Sequence, residues 1–215
     1  MSRAPLAAGQ RPWRAGVLGA TGIVGQRLVH LLAQHPWFEL AEVAASERSS
    51  GKRYADAVRW HLPEAIPDAA RNLVVKDAAP PLACDFVFSG LDSSVAGPIE
   101  AAFARAGYPV VSNSKNYRME PDVPLLIPEV NAAHLTCIPM QKKNRGFESG
   151  FLVTNPNCST AGLGSGTGPP RLGRMRSGSA FFSRLSDRQT LPAPDRSLSP
   201  RPRESGLAAS LSVRS

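Results

Sequence analysis

The 215-residue sequence predicts an α/β protein, a doubly wound and mostly parallel sheet followed by a disordered tail. Three observations carry that expectation. Short apolar runs alternate with amphipathic stretches from Ala15 to about Ile127, as in successive βαβ units. A glycine-rich turn sits between the first apolar run and the first amphipathic stretch. At Gly164 the composition breaks: the 52 residues to Ser215 hold eleven Ser, nine Arg, six Pro and six Gly.

The elements follow in order. Ala15 to Leu18 reads as a buried strand. Ile23, Val24, Leu28, Leu31 and Leu32 then recur at helical spacing, with Gln26, Arg27, His30 and Gln34 on the opposite, polar side. His35-Pro36 ends that helix. Phe38 to Ala45 is a second strand, and residues 46–72, rich in charge, Gly and Pro, form an irregular excursion. Leu73 to Lys76 is a short strand. Phe86 to Phe88 is a buried strand ending at Ser89-Gly90. The next helix places Val95, Ile99, Ala102, Phe103 and Ala106 on one face, with Pro98 expected in its first turn, where a missing N–H costs little. Val110-Val111, Leu125 to Ile127 and Phe151 to Val153 complete the strands.

From Gly164 onward no period survives. Such a segment buries too little apolar surface to offset an ordering entropy of roughly 1–2 kcal/mol per residue. The expected organisation is an N-terminal extension over 1–13, an α/β domain over 14–163 and a disordered tail over 164–215.

The formal net charge of +8 is concentrated in that tail, which carries +6 of it. Nine arginines there could make salt-sensitive phosphate contacts, but the tail has no Lys and only one aromatic pair, Phe181-Phe182, so nucleic acid is not the expected partner. Cys84, Cys137 and Cys158 are too few and too scattered for a disulfide framework or a zinc ribbon. No metal is expected, and the expected location is the reducing cytoplasm. No run approaches the roughly 18 apolar residues of a membrane span. Met1 to Arg14 lacks the apolar core of a secretory signal, and a transit peptide is the minor reading.

The motif Gly19-Ala20-Thr21-Gly22-Ile23-Val24-Gly25 joins the first strand to the first helix. Glycines at that place permit a tight turn and bring a pyrophosphate close to the helix N-terminus, where free N–H groups favour an anion. This is the placement of a Rossmann-type dinucleotide site, with Gly19, Thr21, Gly22, Ile23, Val24 and Gly25 as candidate cofactor contacts. The second strand runs into Ser46-Glu47-Arg48-Ser49. Arg48, with Ser46 and Ser49 beside it and Lys52 and Arg53 following, suits a ribose 2′-phosphate, so NADP(H) is favoured over NAD. Glu47 is the acid that an NAD site would use. Ser89 and Gly90, at the carboxyl end of the central strand, are either nicotinamide-side contacts or an ordinary turn.

Thr154-Asn155-Pro156-Asn157-Cys158-Ser159-Thr160 leads from an apolar strand toward an expected helix. A cysteine at a helix N-terminus has a lowered pKa, which makes Cys158 the candidate nucleophile and Asn157 the candidate oxyanion donor. Cys84 and Cys137 read as buried structural thiols.

Taken together these segments resemble aspartate-semialdehyde dehydrogenases of the archaeal and fungal branch. The resemblance covers residues 14–163. It rests on the glycine motif, Ala45 to Ser49 with Gly51-Lys52, Phe88 to Asp92, Ser112 to Arg118, Pro128 to Asn131 and Asn157 to Thr160. It implies that Cys158 attacks an aspartyl carbonyl, displacing phosphate from β-aspartyl phosphate, and that NADPH reduces the thioester to aspartate semialdehyde. It also implies that Arg118 binds the substrate phosphate with Asn116 beside it. Glu129 and Asn131 would either close the cofactor pocket or serve as loop and cap.

The family's second half supplies a glutamine, further substrate-binding residues, a histidine acid/base and much of the interface of its homodimers or homotetramers. Here His30, His35, His61 and His134 all precede Cys158, and Gly164, Gly166, Gly168, Pro169 and Pro170 stop the expected helix by Leu163. The four histidines read as surface or capping residues. The chain is therefore expected to be a truncated form without dehydrogenase activity of its own, and not to assemble as the family does. The alternatives are a non-catalytic NADP-binding module and a malonyl-CoA reductase-like member of the same fold.

Overall fold

A computed structural model describes residues 11–157. The expected tail, Cys158 with the helix after it, and residues 1–10 of the extension lie outside the described residues. The elements are β1 (Trp13–Leu18), α1 (Ile23–Leu32), β2 (Phe38–Ala45), α2 (Tyr54–Ala57), α3 (Asp68–Arg71), β3 (Val75–Asp77), β4 (Phe86–Ser89), α4 (Ser93–Arg105), β5 (Pro109–Ser112), α5 (Pro128–Asn131), a 3₁₀ turn (Ala132–Cys137), α6 (Ile138–Arg145) and β6 (Phe151–Thr154).

The six strands form one sheet in the order β3-β2-β1-β4-β5-β6, and every pair is parallel. The chain builds outward from β1 to β3, then crosses to β4 on the other side of β1 and builds outward again. The carboxyl ends of β1 and β4 are therefore neighbours that lead into connections on opposite sides, which opens a crevice between them.

Alternate residues of a strand face opposite sides of the sheet, and the core divides accordingly. On one face Ala15, Val17, Val43 and Phe88 pack with Val29 and Leu32 of α1. On the other, Leu18, Val87, Val110 and Leu152 pack with Phe103 and Ala104 of α4. A sheet covered on both faces explains the short apolar runs Ala15 to Leu18, Phe86 to Phe88, Val110-Val111 and Phe151 to Val153.

Several details differ from expectation. Gln26 is fully buried, whereas Ile23 and Val24 are exposed, because the first turn of α1 projects at the open carboxyl edge of the sheet. Pro98 is the sixth residue of α4 and lies in its second turn, where it removes the usual donor to the Ser94 carbonyl. Residues 46–72 contain the one-turn helices α2 and α3. Leu125 to Ile127 is not a strand: Leu125 makes a single bridge to Thr154, and Pro124 and Pro128 leave little room for a ladder. The helical stretch from Pro128 to Arg145 was not anticipated as such. Cys84 and Cys137 are half-buried rather than buried.

Candidate functional site

The turn between β1 and α1 depends on two glycines for its shape. Gly19 has φ +72°, a conformation L side chains rarely adopt. A Cβ on Gly25 would overlap the Gly19 carbonyl oxygen, so the helix could not approach the strand this closely with any larger residue. A Cβ on Gly90 would meet the Gly25 nitrogen at 3.0 Å, so the turns after β1 and β4 touch backbone to backbone. Gly22 differs. It is exposed, and a Cβ there would meet only the Gly19 oxygen, at 3.4 Å. Gly22 is the N-cap of α1 and offers no side chain to its first-turn N–H groups. That end of the helix faces open space suited to an anion.

The underside of this turn is held from within. The Tyr54 hydroxyl donates to the Ala20 oxygen at 2.8 Å. Gln26 Nε2 donates to the Thr21 oxygen at 2.9 Å and the Arg59 oxygen at 3.0 Å, while its Oε1 accepts from the His61 amide at 2.8 Å.

At the end of β2 the residues 46–49 form a turn closed by the Ser49 amide on the Ser46 oxygen at 2.9 Å. Ser46 and Arg48 are exposed and Ser49 is half-buried. Among the described residues Arg48 makes no ion pair, whereas Arg53 is engaged with Asp56 at 2.8 Å. Of the basic residues gathered here by the sequence, Arg48 and the exposed Lys52 remain available.

Ser89, at the end of β4, is only 1% exposed and lies beside the fully buried Glu100 of α4. Gly90 is the accessible half of that pair. Burial raises the Glu100 pKa, and the hydrogen bond from Ser112 opposes the shift. The Ser112 hydroxyl, at the end of β5, donates to Glu100 Oε1 at 2.7 Å and accepts from the Ser114 amide at 3.0 Å.

The loop after β5 is tied down on both sides. Ser114 donates to Asn116 Oδ1, and Asn116 Nδ2 donates to the Ser93 oxygen at 2.9 Å, so both ends of the Asn116 amide are in use. Tyr117 donates to the Gly97 oxygen at 2.6 Å. Arg118 Nη2 donates to the Asn113 oxygen at 2.7 Å. Asn155 Nδ2, just past β6, donates to Asn113 Oδ1 at 2.8 Å. Arg118 Nε and Asn155 Oδ1 are buried atoms with no hydrogen-bond partner among the described residues.

The structure brings Gly19, Thr21, Gly22, Ile23, Val24, Gly25 and Gly90 together around the crevice, with Ser46, Arg48 and Ser49 at the end of β2. Arg118 lies in the loop after β5, and Asn157 is exposed past the end of β6. Asn113 and Asn155 were not singled out from sequence, although each directly follows the last residue of a strand. Gln26 and Tyr54 were also missed. Glu129 is exposed, and Asn131 caps its own turn by accepting from the Ile127 amide at 2.7 Å. His35 accepts from the Trp37 and Phe38 amides, and His134 meets the Leu125 oxygen, both as local caps. The Cys84 thiol is pushed up to about 12 by burial, with Glu42 adding to the shift, and is a poor nucleophile. Among the described residues no cluster of His, Cys, Asp or Glu could hold a metal, and no helix is long and apolar enough to cross a membrane.

The strand order, the glycine turn at the switch point and the open amino end of α1 define a dinucleotide-binding α/β domain of Rossmann type. Residues 14–138 match the family model described as the NAD-binding domain of semialdehyde dehydrogenase, and the chain belongs to that family. It is 53% identical over 154 residues to an aspartate-semialdehyde dehydrogenase from Cryptococcus neoformans, a match covering 70% of this chain and 42% of the relative. It is 51% identical over 149 residues to one from Archaeoglobus fulgidus, covering 69% and 43%. The fold superposes on the crystal structure of the Candida albicans enzyme with NADP at a TM-score of 0.65 and 48% identity, covering 71% of this chain and 45% of that one. The chain thus matches less than half the length of these relatives.

Proposed function

We propose that residues 14–157 are the cofactor-binding and phosphate-positioning part of an NADP-dependent aspartate-semialdehyde dehydrogenase. The observation that carries the cofactor assignment is the open amino end of α1 at Gly22, with the unpaired Arg48 turn beyond the neighbouring strand β2. The Candida albicans relative, crystallised with NADP, supports the same choice. In this reading the pyrophosphate lies against the first turn of α1, and Ser46, Arg48 and Ser49 take the ribose 2′-phosphate. The backbone of Gly90 borders the nicotinamide end. The bound cofactor supplies or accepts the hydride.

The substrate side follows from Arg118. Its Nη2 is spent on the Asn113 carbonyl, which fixes the guanidinium, and its Nε is left to receive a phosphate oxygen. Asn116 supports that loop through Ser93 and Ser114. Asn157 is the expected oxyanion donor, and Cys158, which follows it in sequence, is the nucleophile by its family motif. The substrates are then β-aspartyl phosphate in one direction and aspartate semialdehyde with phosphate in the other.

All four histidines precede Cys158, and those for which the structure gives contacts act as local caps or backbone partners. The 215-residue polypeptide is therefore expected to bind NADPH without turning over. A fluorescence titration of NADPH beside an assay of phosphate-dependent semialdehyde oxidation tests both halves. Saturable binding with no turnover supports this reading. Measurable turnover refutes the inactivity, and absence of binding refutes the cofactor site.

A further inference from the structure

The carbonyls of the glycine turn are not left to water. Ala20 and Tyr54 are both fully buried, and the Tyr54 hydroxyl meets the Ala20 oxygen at 2.8 Å. Gln26, also fully buried, uses both amide hydrogens on backbone oxygens, of Thr21 and Arg59, and its own oxygen on the His61 amide. A helix-surface glutamine has no need of such a set of partners. In a trans peptide the C=O and N–H point to opposite sides. Drawing the Ala20 oxygen inward therefore turns the Thr21 N–H outward, toward the open space above Gly22. Fixing the Thr21 oxygen sets the next peptide, whose Gly22 N–H closes on the Gly19 oxygen at 3.0 Å.

The side chains that do this come from two places. Gln26 belongs to α1 itself. Tyr54 is delivered by the segment that follows the Arg48 turn, and that segment is laced to β3. The Gly51 amide donates to the Val75 oxygen at 2.9 Å, the Val75 amide to the Lys52 oxygen at 2.9 Å, and the Tyr54 amide to the Leu73 oxygen at 2.8 Å. The ribose-side turn and the underside of the glycine turn thus share one anchored strip of chain.

We infer that Tyr54 and Gln26 are positioning residues for the pyrophosphate, holding the two carbonyls of the glycine turn inward so that the Thr21 amide and the first turn of α1 face the cofactor. Neither side chain touches the ligand. This rests on the NADP reading above. The role differs from general support of the fold because it acts on the pyrophosphate and not on the adenosine 2′-phosphate.

The test uses the full 215-residue chain and two ligands: NADPH, and adenosine 2′-monophosphate, which has the 2′-phosphate but no pyrophosphate. Tyr54→Phe, which removes one hydroxyl, is expected to weaken NADPH binding about tenfold. Its affinity for adenosine 2′-monophosphate should stay within about twofold, a change too small to count as one lost hydrogen bond. Gln26→Asn, too short to reach Thr21 and Arg59 together, serves as the second variant and should show the same split. Thermal melting of each variant confirms that it is folded at the titration temperature. Unchanged NADPH binding in a folded variant overturns the inference, as does an equal loss of both ligands. If the unaltered chain binds neither ligand, the cofactor reading falls and this inference with it.

Discussion

Gly22 and Gly25 occupy equivalent-looking places in the sequence but do different work, and substitution separates them. Gly25→Ala places a methyl group on the Gly19 carbonyl oxygen and is expected to destabilise the domain by about 1–3 kcal/mol or more. Gly22→Ala meets nothing closer than 3.4 Å and should leave the melting temperature nearly unchanged while weakening NADPH binding. Paired thermal melts and titrations check this. Gly25 was legible because only glycine fits there. Asn113, Asn155, Tyr54 and Gln26 were not, since their roles arise from partners 30 or more residues away or from burial that a polar side chain conceals.

Glu100 gives a second expectation for single residues. Burial raises its pKa, so the folded state holds the proton more tightly than the unfolded chain, whose Glu titrates near about 4.3. Its contribution is then complete below that pH and is lost as pH rises through the folded pKa. Glu100→Gln keeps an acceptor for Ser112 and removes the titration. Denaturation across mildly acid to neutral pH should show a shallower fall in stability for the variant than for the parent.

At the level of elements, the β1–α1–β2 unit could be read directly, because hydrophobic period, glycine turn and His35-Pro36 all agree. The stretch from Pro128 to Arg145 could not, although its signals are present. Pro128 and Pro139 lie in the first turns of α5 and α6, and Gly146 ends α6 with φ +66°. The low apolar content of α6 hid its period. Gly146→Ala should cost about 1–2 kcal/mol, measured by denaturant unfolding, since it forces a side chain into the left-handed region.

The end of α6 is also pinned through Arg145, which donates to Asp122 and Glu120. Its hydrogen bonds hold the Asp122 carboxyl below the usual carboxylate range. That stabilisation is present above the unfolded Asp pKa, near about 3.9, and is lost as pH falls through the lower folded value. Arg145→Gln should therefore remove part of the acid-side slope of stability, which acid titration of the melting temperature would read.

In the whole molecule, the six parallel strands and their switch point between β1 and β4 bring residues from 19 to 157 of the chain to one edge of the sheet. The fold class was legible because the central strands β1 and β4 and their neighbours β5 and β6 each carry a short buried apolar run. The strand order was implied by the glycine turn only once it could be placed at the switch point. The same edge carries the amino end of α1, the Arg48 turn and Arg118, so under the proposed function one assembled surface would serve both cofactor and substrate phosphate.

The most direct measurement is the thermal melting of the full chain with NADPH, with NADH and with neither. Ligand that binds only the folded state raises its stability, by about 2.7 kcal/mol at a hundredfold excess over Kd. A single cooperative transition, raised by NADPH and raised less by NADH at the same concentration, is the expected result. A transition that neither cofactor moves, or one that NADH raises as much as NADPH, would contradict an NADP site built on Gly22 and Arg48.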